Sequence, residues 1–372
     1  MGSRPLLSAA IIVRDEADFL RTCLASITDV CDEIVVVDTG STDDSVAVAA
    51  SFGAVQTTRP WDGDFSAARN TALDLATGRW ILYIDADERL DASDADALRD
   101  ELERATDSIA LRVWFRARPI WSPYREFRLW RHRPDIRFAG RIHETMVPDI
   151  QRVAAAEGLT IDDSALFRLT HYGYEGDQTA KHRRNLPLLE QRVSETPDRV
   201  YLWNHLGNIR EALGDMAGAR QAWTTGIEVI RAKGLVDRTD VLCYAGLGLH
   251  LLANGHDVSD LVGEMSEVCP WYRTLDWLAA KNHASHGRPD AAIPHLQALL
   301  AVGLDPIDDS LAYNNAMFTD WAWELLVECQ IEIDDMVGAA ATAATAAAAR
   351  PGDFAWRTKS MALAARAKRR SP

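Results

Sequence analysis

Arg79-Trp80-Ile81-Leu82-Tyr83-Ile84-Asp85-Ala86-Asp87-Glu88 is an apolar, β-prone run that ends abruptly in carboxylates. A run of this length and composition reads as a buried strand. Open α/β sheets bind ligands beyond the carboxyl ends of their strands, which is where Asp85 and Asp87 fall. Carboxylates spaced i and i+2 at a strand end suit a hard divalent cation that also holds phosphate oxygens. The plain alternative is a solvated strand-to-helix turn, since Asp is a common turn residue.

Strand and helix patterns alternate upstream of this stretch. Leu6 to Val13 reads as a first strand. Arg14-Asp15-Glu16 follows, then a helix with Leu20, Cys23, Leu24 and Ile27 on one face. Ile34 to Val37 reads as a second buried strand that ends in Asp38-Thr39-Gly40-Ser41-Thr42-Asp43-Asp44. There the Gly permits a tight turn, and Ser41, Thr42 or Asp43 can cap the next helix. Ala54 to Thr57 is a short third strand. Ser66 to Thr77 is a helix stopped by Gly78 in the left-handed conformation. After Asp91 a helix starts at Ser93, with Asp96 completing a capping box and Leu98 and Leu102 turned inward. This alternation, with continuous apolar strands, predicts a parallel doubly wound sheet.

The pattern changes at Ile109. Ile109 to Phe115 and Glu126 to Trp130 are β-rich, and Arg137 to Glu144 and Leu166 to His171 add short segments. They predict a mixed β extension, so that residues 1–178 form one α/β domain. From Thr179 the chain reads as all-α. Tyr201 through Trp223 is a helix, a Gly-Asp turn and a second helix, and Trp277 through Ala292 repeats that grammar, as does Trp323 onward. Gly214, Gly255 and Gly287 mark the turns. Paired helices at a period of about 34 residues are the tetratricopeptide signature. Residues 179–372 are therefore expected to form a helical-repeat domain, its last Ala-rich helix stopped at Arg350-Pro351-Gly352. A solenoid of this kind offers a concave surface to a partner or to a second copy in a homodimer.

The net charge of −15 argues against nucleic acid as a partner. Five scattered cysteines with no CxxC fit a reducing compartment rather than a disulfide framework or a zinc site. No signal-peptide pattern and no transmembrane run of about 18 apolar residues is present, so a cytoplasmic protein is the expectation.

Two further residues carry chemistry. Asp38 ends a strand as Asp85 does; it suits a hydrogen bond from a base N–H or a ribose hydroxyl, or else it caps a helix. Arg69, next to Asn70 on the helix before the key strand, suits a diphosphate by bidentate geometry, or else a surface ion pair.

Taken together, Arg14-Asp15-Glu16, Val36 to Asp43, Ala68-Arg69-Asn70 and Asp85-Ala86-Asp87 resemble the nucleotide-binding half of a family 2 glycosyltransferase of the GT-A fold, its DXD motif at Asp85 and Asp87. Arg14 stands where that family commonly has Asn. Trp61-Asp62-Gly63-Asp64-Phe65-Ser66 and Gly140-Arg141-Ile142-His143-Glu144 resemble a narrower group that couples the transferase to tetratricopeptide repeats and includes the peptide S-glycosyltransferases of glycocin biosynthesis.

This resemblance implies a UDP-sugar donor, UDP-glucose or UDP-N-acetylglucosamine, and a Mn2+ or Mg2+ cofactor. Asp15, Glu16 and Asp38 would line the nucleotide, with Asp38 on the uracil. Asp85 would contact ribose or metal, Asp87 would ligate the metal, and Arg69 would assist at the phosphates. GT-A enzymes often recruit a late His as a metal ligand, and His171 fits that place. An inverting transfer needs a base, for which Glu144 leads, with Glu88 and Asp64 as rivals. Trp114, Trp121, Tyr124 and Trp130 suit either a sugar face or the core. The acceptor would be a peptide Cys or Ser/Thr side chain, a saccharide or a small molecule. A nucleotidyltransferase would want a Gly-rich loop and a Lys after the first strand, which Arg14-Asp15-Glu16 is not. An inactive repeat scaffold is a third reading, against which Asp85 and Asp87 speak.

Overall fold

The computed structural model describes residues 4–91, 94–173, 178–304 and 306–370. The chain divides into two compact units, Met1–Pro197 with Asp308–Ala312, and Asp198–Ile307 with Tyr313–Pro372.

The first unit is built on one eight-stranded sheet. Its strands are β1 (Leu7–Val13), β2 (Glu33–Asp38), β3 (Val55–Thr58), β4 (Trp80–Tyr83), β5 (Glu88–Leu90), β6 (Ser108–Arg116), β7 (Tyr124–Arg131) and β8 (Thr160–His171), in the spatial order β3-β2-β1-β4-β7-β6-β8-β5. The first four strands are parallel, as the continuous apolar runs require. β7 then joins β4 antiparallel, which makes the second half mixed. Successive strand residues serve opposite faces. Val36, Leu82 and Ile84 pack under helix α1 (Ala17–Ile27) through Leu20, Leu24 and Ile27. Val35, Val37 and Ile81 pack against helix α3 (Phe65–Leu75), which follows the short helix α2 (Ser45–Ser51). Each fully buried Leu or Ile there contributes about 1.5–3 kcal/mol.

Several local expectations are corrected. Helix α3 ends at Leu75 and its C-cap Ala76 is extended, so Gly78 is not a left-handed stop. Gly78 is needed because a Cβ there would run into Ser8, whose Oγ accepts the Gly78 N–H. Ser93 lies outside the described residues; helix α4 (Ala95–Arg104) is capped by Asp94, which accepts from Ala97 N–H. Arg137 to Glu144 is not a strand but a loop closed by the Ala139–Thr145 bridge. Helix α5 (Val147–Glu157) interrupts the β extension, with Pro148 in its first turn and left-handed Gly158 at its end. Helix α6 (Thr179–Glu195) falls in the first unit, so the division into units comes after Pro197 rather than after residue 178.

The second unit is all helical: α7 (Val200–Ala212), α8 (Met216–Lys233), α9 (Leu242–Ala253), α10 (Ser259–Val268), α11 (Thr274–Ser285), α12 (Pro289–Leu300), α13 (Asp320–Glu332), α14 (Met336–Ala349) and α15 (Phe354–Arg370). Antiparallel pairs follow one another as tetratricopeptide-like repeats. Left-handed Gly214, Gly255 and Gly287 sit at three of the intra-pair turns, and Asp334 takes that conformation in the fourth. Asp215 and Asp335 cap the second helices of their pairs by accepting from Gly218 and Gly338 N–H. No helix among the described residues is long and apolar enough to cross a membrane.

Candidate active site

β4 ends at Tyr83, and fully buried Ile84 pins the chain as it leaves the sheet. The next four residues close on themselves: Asp85 N–H donates to Glu88 Oε2 (2.9 Å) and Glu88 N–H donates to Asp85 O (3.0 Å). β5 then pairs antiparallel with the end of β8, placing Glu88 opposite His171. That pairing sets His171 Nε2 2.9 Å from Asp87 Oδ2, while His171 Nδ1 is 3.2 Å from the Ala117 carbonyl. Burial works against the imidazolium, but Asp87 outweighs it and the His171 pKa is raised. Gly173 completes the cradle, because a Cβ there would collide with the Asp87 carboxylate.

Asp85 points elsewhere, toward Arg69. Arg69 Nη2 lies 2.9 Å from Asp85 Oδ1, and Arg69 Nε is hydrogen-bonded to Glu144 Oε1. The guanidinium is buried at 7% exposure, and Nη1 has no hydrogen-bond partner among the described residues. Burial pushes the Asp85 carboxyl up, yet Arg69 and Arg128 hold it below the usual range. Arg128 on β7 grips Glu88 in a buried, bidentate pair at 2.9 and 3.2 Å. Both guanidiniums lie 4.2 Å from the Tyr83 ring centroid.

Glu144 is brought here by clips on its loop. Asn70 pairs with the Phe138 backbone in both directions (2.9 and 3.0 Å), and Phe65 N–H donates to Arg141 O (2.9 Å). The loop turns through His143 at φ 49°. The loops after β1 and β2 are stapled separately. Asp38 accepts from Gly40 and Ser41 N–H (3.0 and 3.1 Å). Asp15, itself at φ 53°, accepts from Thr42 N–H (2.6 Å) and Thr42 Oγ1 (3.0 Å). Glu16 stands between these loops and the strand end. Burial, then Asp87, pushes its carboxyl up to about 7, against the pull of Lys181 on helix α6.

The family model for glycosyl transferase family 2 matches residues 8–153, the stretch that carries every one of these clips up to Glu144. Residues 8–153 therefore form a glycosyl transferase family 2 domain. The chain is 37% identical over 250 residues to a TPR repeat-containing protein of Synechococcus elongatus, covering 65% of this chain and 61% of that one. It is 28% identical over 209 residues to the SPbeta prophage-derived glycosyltransferase SunS of Bacillus subtilis, covering 52% and 46%. The chain thus spans about half to three-fifths of these relatives. A mannosyltransferase from Pyrobaculum calidifontis, solved with GDP-Man and Mn2+, is similar at a TM-score of 0.40 and 17% identity, over 77% of this chain and 87% of that one.

The structure gathers Asp85, Asp87, Arg69 and Glu144 of the family 2 domain, with His171 beyond it, at one strand end. It does not gather a closed metal cage: among the described residues no group of three His, Cys, Asp or Glu converges on one point. Asp87 and His171 nevertheless fit a divalent cation. Two ligands at about 2.1 Å and right angles lie roughly 3 Å apart, which their separation matches, and water and diphosphate oxygens can fill the other positions. Arg69 is not the surface ion pair one reading of the sequence allowed, since it is buried between two carboxylates. Of the rival bases, Asp64 caps α3 by accepting from Ala67 N–H (3.1 Å), and Glu88 is taken by Arg128. Trp130 is fully buried core, and Trp114 lies under Arg125 at 3.9 Å. Sequence reading missed the Glu88–Arg128 pair; β5 and β7 each carry more than one charged residue, so nothing in the chain singled these two out.

Proposed function

We propose that the protein is an inverting, metal-dependent glycosyltransferase that moves a hexose from a UDP-sugar, UDP-glucose or UDP-N-acetylglucosamine, to an acceptor. The observation that carries this reading is the placing of Asp87 with His171 next to the Arg69-bridged pair Asp85 and Glu144, all at the carboxyl end of β4. When bound, Mn2+ or Mg2+ would be held by Asp87 and His171, with Asp85 beside it, and would stabilise the charge on the leaving diphosphate. Asp15, Glu16 and Asp38 form the nucleotide side, Asp38 toward the uracil. Glu144 is the base: Arg69 fixes one of its oxygens and so aims the other at the acceptor. The acceptor heteroatom forms its bond to the anomeric carbon as the bond to UDP breaks, UDP keeps that electron pair, and the acceptor proton passes to Glu144. The acceptor is a Cys or Ser/Thr side chain of a peptide, in keeping with the Trp61–Ser66 and Gly140–Glu144 motifs. A thiol, with a pKa near about 8.5, needs little from Glu144.

Incubation with labelled UDP-sugars, Mn2+ and candidate peptides tests this. Sugar transfer or slow donor hydrolysis is expected; incorporation of nucleotide, or silence across all donors and acceptors, would overturn it.

A further inference from the structure

The turn that carries Asp85 and Asp87 is tied down first through its carbonyls. The Asp85 carbonyl accepts from Glu88 N–H (3.0 Å) and from the Cys23 thiol of α1 (3.4 Å), and the Asp87 carbonyl accepts from Tyr172 N–H (2.9 Å). The Asp85 N–H goes instead to a side chain of the same turn, Glu88 Oε2, at 2.9 Å. That oxygen also accepts from Arg128 Nη1 at 3.2 Å, while Glu88 Oε1 accepts from Arg128 Nη2 at 2.9 Å. Arg128 reaches the turn because β7 pairs with β4 at Leu82 and Leu129, which sets it alongside Tyr83. Glu88 is 1% exposed and Arg128 6%.

We infer that Glu88 and Arg128 are positioning residues for the metal-binding turn, an assignment that rests on the metal-dependent reading above. Glu88 fixes the Asp85 amide, Arg128 fixes Glu88, and together they hold Asp85 and Asp87 turned toward different partners. Stability does not account for the pair. Two charges have been taken out of water, and apolar side chains of similar volume serve a fold as well or better in such a place. The surroundings would suit them, since the Arg128 guanidinium lies over the rings of Tyr83 (4.2 Å) and Phe115 (4.5 Å). What an apolar pair could not do is accept the Asp85 N–H. A backbone amide has a fixed direction, so the carboxylate that accepts it sets the twist of the turn. That twist sends Asp85 to Arg69 (2.9 Å) and Asp87 to His171 (2.9 Å). The bidentate grip of Arg128 leaves the Glu88 carboxylate a single orientation. Both residues are too deeply buried to meet a substrate, so they act through Asp85 and Asp87.

The test is calorimetry on the full chain, with UDP and Mn2+ as the probe and uridine without metal as the control. Glu88→Met with Arg128→Met removes the acceptor but leaves no buried charge. It is expected to unfold at close to the parent temperature, to bind UDP with Mn2+ at least about tenfold more weakly and to bind uridine unchanged. Glu88→Gln with Arg128→Met keeps an oxygen for the Asp85 N–H and is expected to recover most of that affinity, which a purely structural pair would not do. Should the Met pair fail to fold, Arg128→Lys gives the answer. It keeps the charge but loses the bidentate grip, and UDP binding with Mn2+ must then fall while uridine binding stays. Normal UDP affinity in these variants, an equal loss for uridine, or no recovery with Gln would overturn the assignment. Asp87→Ala is run alongside. If it alone abolishes UDP binding, the metal-dependent reading stands and only the role of Glu88 and Arg128 fails; if it too binds UDP normally, the metal-dependent reading itself fails.

Discussion

His171 Nε2 stands 2.9 Å from Asp87 Oδ2 although 84 residues separate the two in the chain. The contact exists because three-residue strand β5 pairs with the end of β8, so the register of that short ladder sets the Asp87–His171 pair. Asp87→Ala should abolish metal-dependent UDP binding while leaving the thermal unfolding of both units intact. Undiminished UDP affinity by calorimetry would remove Asp87 from the site.

The same site depends on an atom that is missing. Gly173→Ala puts a methyl group into the space of the Asp87 carboxylate, without touching the apolar core. It should weaken Mn2+-dependent UDP binding by about tenfold or more, the usual scale for disturbing a supporting residue of a metal site. Binding of uridine without metal is the control that should not move.

Arg69 bridges Asp85 and Glu144, with Arg69 and Glu144 buried and Asp85 partly exposed. Arg69→Met should cost about 3–5 kcal/mol in denaturant unfolding, because two carboxylates are left facing each other. Adding Glu144→Gln to Arg69→Met should return part of that loss. A double-mutant cycle with no coupling would show that the bridge is not an energetic unit.

Glu16 gives a pH signature. Its pKa is about 7 in the folded chain against an ordinary 4.5, so the folded state holds a proton that the unfolded state has released. Stability contributed by this group is therefore lost as pH rises from 4.5 to about 7. Glu16→Gln should raise stability at pH 8 by about 1 kcal/mol, after allowing for partial solvent screening, and have no effect at pH 4. Melting temperatures across that range, recorded with a chelator present, check it. A gain that does not depend on pH would contradict the assignment.

The parallel half of the sheet was legible because its strands are apolar runs that end in polar turns, and Asp85 and Asp87 could be placed from that pattern alone. Leu20, Cys23, Leu24 and Ile27 were equally readable, since one buried stripe every third or fourth residue leaves a helix no other choice. The partners of the charged residues were not legible. Nothing beside Arg69 in the chain reveals that it turns inward to Glu144, 75 residues on. The same holds for Glu88 and Arg128. Helix α6 shows a third kind of illegibility: its periodicity states that it is a helix but not which unit it packs on. Helix α5 went unread although Pro148 in its first turn and Gly158 at its end mark its limits.

All five cysteines are buried, and each thiol is pushed above its ordinary pKa by desolvation. A maleimide or a spin label offered at neutral pH will therefore find almost no reactive sulfur on the native fold. One cysteine introduced on the outer face of α6 would carry such a reporter alone, and its fluorescence or line shape would follow that helix as nucleotide is added.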